Sequence, residues 1–267
     1  LNIIVLLLTF SVIGLSKPRV EILNGNNPIS FNPPGLGQAI AIQRVLLGAN
    51  QIGAWFQNTG IMDQDTRTQN TPGFEWPKGS GKFANFTAGL SIGCHINGQL
   101  AQVMASYSGE YTPGYTKFDA GSQTYVGYTD ADFKLYSVKS GDNANTNPDY
   151  ANWGKMVPYG APYVDINENG QYDPAIDIPG QKDAGQTLFL AMTDAFVEQR
   201  NAGEGFGGGV TSPLLYADLR MTAWAYNSPG LEDLQFVKWT VMNNGGSDWE
   251  NTYISVVVDP DLGDAGD

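Results

Sequence analysis

Three short oxygen-bearing side chains, Asp165, Asn167 and Asn169, occupy alternate positions of GAPYVDINENGQYDPAIDIPG (160–180), with Gly170 next and Asp173 three residues further on. In a calcium loop numbered from Asp165 these are positions 1, 3, 5, 6 and 9, and Gln171 offers its backbone carbonyl at position 7. A hard dication takes six to eight oxygens, and alternating short side chains around a glycine turn supply them. Position 12 is Ile176, where an EF-hand carries a bidentate Glu, and Asp177 is the nearest substitute. Pro162 and Pro174 discourage flanking helices, so the loop is expected among strands or coil, binding calcium as a structural staple. The competing reading is an ordinary Asn-Gly turn with solvated acids.

Other acids are weaker candidates. DPDLGDAGD places Asp259, Asp261, Asp264 and Asp267 together, and carboxylates so close repel unless solvent, protons or a cation relieves them. They form a second expected metal site. Asp63 and Asp65 sit beside Arg67, an adequate partner. Glu75 and Glu110 are the carboxyl pair available to a glycoside hydrolase, with Trp55, Phe56, Trp76, Tyr107, Tyr111 and Tyr115 as candidate sugar platforms. The alternative is that these rings pack a β-core.

Several chemistries are excluded. Cys94 and His95 are the only residues of their types, so a multi-Cys/His zinc site is ruled out, and adjacent strand residues point to opposite faces, so the two do not form a dyad. WPKGSGKF (76–83) imitates a phosphate loop, but Trp76 stands where a glycine is required and Phe83 where Ser/Thr would bind magnesium. Gly203-Glu204-Gly205-Phe206-Gly207-Gly208 matches a dinucleotide fingerprint, but no helix pattern follows it.

The elements that must position these residues read as strands. Gly (33) and Pro (15) together exceed average usage, which opposes a helical bundle, while 42% hydrophobic content opposes disorder. HINGQL holds Asn97-Gly98 between two apolar runs, a hairpin signal, and a second hairpin is expected at Asn24-Gly25. Residues 37–56 and 187–199 read as strand with helix as the alternative; 119–130 and 140–152 read as loops; 133–139 reads as a strand, and the glycine run at 203–209 breaks the chain before 214–226. LQFVKWTVMNN and NTYISVVVD alternate with period two and are expected to pair as neighbours. The fold expected is all-β, a sandwich-like set of antiparallel sheets with long Gly/Pro/Asn-rich loops and few short helices, over residues 17–267.

Residues 1–16 (LNIIVLLLTFSVIGLS) form an uncharged apolar run with small residues before a cleavage position after Ser16, and read as a secretory signal whose start is truncated. The acidic ending reads as unfinished, so the sequence is expected to be the N-terminal part of a longer exported protein. No transmembrane span is expected after residue 16. Twenty-seven acids against 14 bases, a formal charge of −13, oppose nucleic acid as a partner; a cell-surface glycan or protein is the partner expected. With one Cys there is no intrachain disulfide.

The order of FEWPKGSGKFANFTAGLSIGCHINGQL, SGEYTPGY and MVPYGAPYVDINENGQYDPAIDIPG, closing on QFVKWTVMNNGGSDWENTYISVVVDPDLGD, resembles the N-terminal region of large exported bacterial surface proteins of the type IX secretion group. The resemblance covers most of residues 50–267. It implies export and surface attachment and carries no activity with it. The leading expectation is a calcium-stabilised, non-catalytic adhesion or scaffold domain at the cell surface; an extracellular carbohydrate-binding module or glycoside hydrolase is the alternative.

Overall fold

The computed structural model describes residues 30–31, 40–65, 71–200 and 211–261. The apolar leader, the Asn24-Gly25 turn, the 203–208 glycine run, Arg67, Asp264 and Asp267 lie outside the described residues.

The chain folds as antiparallel sheets facing one another across an apolar core, the sandwich-like architecture expected. One face is built around Thr87–Ile96, flanked by Gln99–Met104 on one side and Glu250–Asp259 on the other. Asn97 and Gly98 make its turn in the left-handed region (φ 50° and 76°), the geometry that makes Asn-Gly a hairpin signal. Four further strands, Arg44–Leu47, Gly53–Gln57, Phe74–Glu75 and Phe83–Asn85, continue this face, joined to it through bridges at Met62. The opposing sheet has Gln186–Thr193 paired to Ala217–Ala225, which pairs in turn to Gln235–Asn243. Thr112–Pro113 and Tyr136–Lys139 share the far side of Gln186–Thr193.

Between the sheets, Leu188, Leu190, Met192, Leu219 and Met221 meet Leu90, Ile92, Cys94, Val103 and Phe56 in the main core. The reverse side of Gln186–Thr193 turns Phe189 and Ala191 into a second core with Tyr136, Val138, Trp153 and Met156. Both faces of that strand are therefore covered, and every one of its residues is buried. This is why it reads as a continuous apolar run whose strand or helix character periodicity cannot decide.

The structure corrects three readings of the sequence. Residues 119–130 are not all loop: Tyr115–Asp119 and Thr124–Tyr128 form a hairpin. The 140–152 loop ends in a helical turn, Pro148–Asn152, started by Pro148 at its first position and by the Asn147 side chain accepting the Asp149 N–H at 2.8 Å. Gln235–Asn243 and Glu250–Asp259 do not pair with each other but lie in different sheets. Their linker is an arch, because its polar groups are drawn into the sandwich: Asn244 Nδ2 donates to Asp218 Oδ2 at 2.6 Å and Trp249 Nε1 to the Leu215 carbonyl at 3.1 Å. Among the described residues, no helix is long and apolar enough to cross a membrane.

Candidate functional site: the 160–180 loop

Two short strands, Tyr163–Val164 and Ile178–Pro179, pair at the base of the loop and hold its ends together, so the segment is framed by strands as the prolines require. Gly170 adopts φ 75° at the turn, a conformation that glycine takes without steric cost. The Asp165 carboxylate accepts the Asn169 N–H (3.2 Å) and the Gly170 N–H (2.7 Å), curling the backbone around it. Asn169 Oδ1 accepts the Gln171 N–H at 2.7 Å. Asp177 latches the far end: buried within the base, it accepts the Ile166 N–H at 2.9 Å and the Asp173 N–H at 2.7 Å.

Positions 3, 5 and 9 converge. Asn167 Nδ2 and Asn169 Nδ2 both donate to Asp173 Oδ2, at 2.9 and 2.8 Å. Two amide N–H edges therefore meet on one carboxylate oxygen, and the three side chains share one point. A half-turn of an amide exchanges its nitrogen for its oxygen, and each carboxylate oxygen that takes one N–H keeps a second lone pair. These side chains carry carboxylate and amide oxygens, the hard donor type that calcium prefers over softer-ligand metals. Among the described residues no three His, Cys, Asp or Glu side chains gather as a metal-holding group. The carboxylates also act as a field: burial and then Asp165, Asp177 and Asp173 push the Tyr163 phenol up.

The loop is bolted to the second core. Tyr163 and Tyr172 meet edge to face at 5.2 Å, Tyr172 packs against that core, and Trp153 Nε1 donates to the Pro162 carbonyl at 2.8 Å. Compared with protein-family models, with curated proteins and with solved structures, the chain finds no match in any of the three.

The remaining candidates are scattered. Asp259 accepts the Tyr107 hydroxyl, and Asp261 is buried nearby in the chain; Asp264 and Asp267 lie outside the described residues. Asp63 accepts from Asn85 Nδ2 at 2.7 Å, and burial pushes its carboxyl up to about 6 against that bond. Glu75, half-buried, ends the strand that leads into the exposed 76–82 turn and accepts the Gly81 N–H at 2.7 Å, filling that turn with its own anion. Glu110 is 2% exposed and bonded to the Met104 N–H and Arg200. Phe56 and Tyr111 are core residues, so the aromatics named with this pair do not line one groove. Cys94 faces the core, and burial followed by Asp194 pushes its thiol up, the opposite of an activated nucleophile.

One cluster carried no sequence signal. Arg200, fully enclosed, bonds Asp194 at 2.5 Å and Glu110 at 3.4 Å, and Asp194 also accepts the Leu215 and Ala217 N–H groups at 2.7 Å each. Glu110 and Arg200 are 90 residues apart, so no local pattern announces the pair.

Proposed function

We propose that this chain is a non-catalytic β-domain of a secreted or cell-surface protein, stabilised by calcium in the 160–180 loop and serving adhesion or scaffolding. The observation that carries the reading is the convergence of Asn167, Asn169 and Asp173 on one point, inside a loop whose ends are tied by paired strands and by Asp177. Asp165, Asn167, Asn169, Asp173, Asp177 and the Gln171 carbonyl are the ligands proposed. The resemblance to exported surface proteins supports the location. The charge balance and the single Cys support an ion rather than a covalent bridge as the staple. Extracellular calcium modules work at Kd values of about 10⁻⁴ to 10⁻³ M, so the loop fills outside the cell and stays empty in cytosol. The burial of Glu110 and its pairing with Arg200 support this reading over a hydrolase that would use Glu75 and Glu110.

Terbium is the direct probe, because Tyr163 lies beside the loop and sensitises its emission. Luminescence should rise with terbium, fall when calcium competes, and be lost in the Asp165→Asn/Asp173→Asn double variant. Emission that never develops, or that survives in the variant, overturns the calcium reading.

A further inference from the structure

The Glu250–Asp259 strand is the outermost of its three, and among the described residues it pairs only with Thr87–Ile96. Register places Ile254, Val256 and Val258 opposite Ile92, Leu90 and Ala88, so all three point to the core side. Their partners are buried, yet Ile254 is 53% and Val258 38% exposed; on the other face Tyr253 is 75% exposed. The opposite edge of the same three strands is treated differently. There the Gln102 N–H donates to Ser212 Oγ at 2.8 Å, and the Gln102 carbonyl accepts Ser212 Oγ–H at 3.1 Å and the Arg200 guanidinium. The 250–259 edge carries no Lys, Arg or Pro, the residues that usually blunt such an edge. Its only charges are acids at its ends, Glu250, with exposed Asp248 just before it, and Asp259, which also accepts the Tyr107 hydroxyl.

We propose that this edge accepts an extended segment of another polypeptide, apolar at alternate positions and basic at both ends, as an added strand. Main-chain N–H and C=O groups supply the affinity of such an addition, and alternate side chains supply its specificity. Apolar side chains of the added strand would lie over Ile254 and Val258 and close the core where it is open. The acidic ends, in a chain of charge −13, select Lys or Arg at the ends of the incoming segment. A second copy fits worse: antiparallel pairing centred on the strand sets Glu250 of each copy against Asp259 of the other. The proposal names a partner class for the scaffold reading and rests on its non-catalytic half, not on calcium.

The test uses the full chain flowing over singly tethered decapeptides of alternating Val and Thr, ended by Lys or by Glu. Retention on the Lys-ended peptide should be about tenfold tighter at low salt, with the gap closing as salt screens the ends. An Ile254→Lys/Val258→Lys variant should lose that tenfold while keeping its melting transition and its terbium response. Should that variant fail to fold, Tyr253→Lys and amide exchange across 250–259 in the unaltered chain take its place, and the peptide must slow that exchange. Four results overturn the proposal: no retention, equal retention on both peptides, retention unchanged in the variants, or a dimer that the variants split. The terbium response read on the same samples keeps a failed edge separate from a failed calcium loop.

Discussion

At the scale of single residues, the buried acids set the pH behaviour. Asp63 holds its carboxyl at about 6, because the cost of burying the anion exceeds what the Asn85 hydrogen bond returns. A folded-state value raised above the unfolded one contributes stability that is fully present below about pH 4 and lost as pH climbs through 6. Burial raises Asp194 and Asp218 as well, and both act with the same sign. Asp63→Asn keeps a residue that tolerates φ 64° and removes the charge. It should raise stability at pH 7.5 by about 1–2 kcal/mol and flatten the slope between pH 4 and 7, read from urea melts. Arg200→Met has the opposite effect: it leaves Asp194 and Glu110 enclosed without their cation, and the expected loss is about 3–5 kcal/mol in the same melts. A loss under about 1 kcal/mol would show that water reaches the pair.

At the scale of elements, the loop, its two-stranded base and the helical turn ahead of it behave as one piece. Trp153 is the joint, fully buried against Phe189 and bonded to the Pro162 carbonyl at the root of the loop. Trp153→Ala should cost about 3–5 kcal/mol and weaken the terbium response together with the melt. Gly170→Ala separates shape from charge, since nothing crowds a Cβ there and only the φ of 75° is penalised. A loss of about 1 kcal/mol with a weakened metal response is expected. The Tyr163 phenol, raised by burial and by three loop carboxylates, should titrate at lower pH when calcium is added, as followed by ultraviolet absorbance. An unmoved titration would place the cation elsewhere.

At the scale of the whole molecule, strands and turns were legible in sequence at several places where one face meets water, though the Tyr115–Asp119 and Thr124–Tyr128 hairpin was not. Asn97-Gly98 gave its hairpin, and Gly170 its turn, because backbone conformation is a local property. Pairing was not legible: Glu250–Asp259 joins Thr87–Ile96 across some 160 residues, and period-two alternation says which face is buried without saying which neighbour is chosen. Gln186–Thr193 lies between two cores and so loses the alternation that marks a strand. The loop itself was legible because its side chains are close in sequence; the Arg200 cluster was not, because Glu110 joins it from 90 residues away. What remains central is the staple. A ligand that binds only the folded chain at one hundred times its Kd adds about 2.7 kcal/mol, which for a domain this size raises the melting temperature by roughly 5–10 °C. The most direct measurement is therefore a thermal melt of the full chain in saturating calcium and in excess chelator. The account predicts a transition higher by roughly that amount in calcium, with the difference gone in Asp165→Asn/Asp173→Asn. Superimposable melts of the unaltered chain would contradict it.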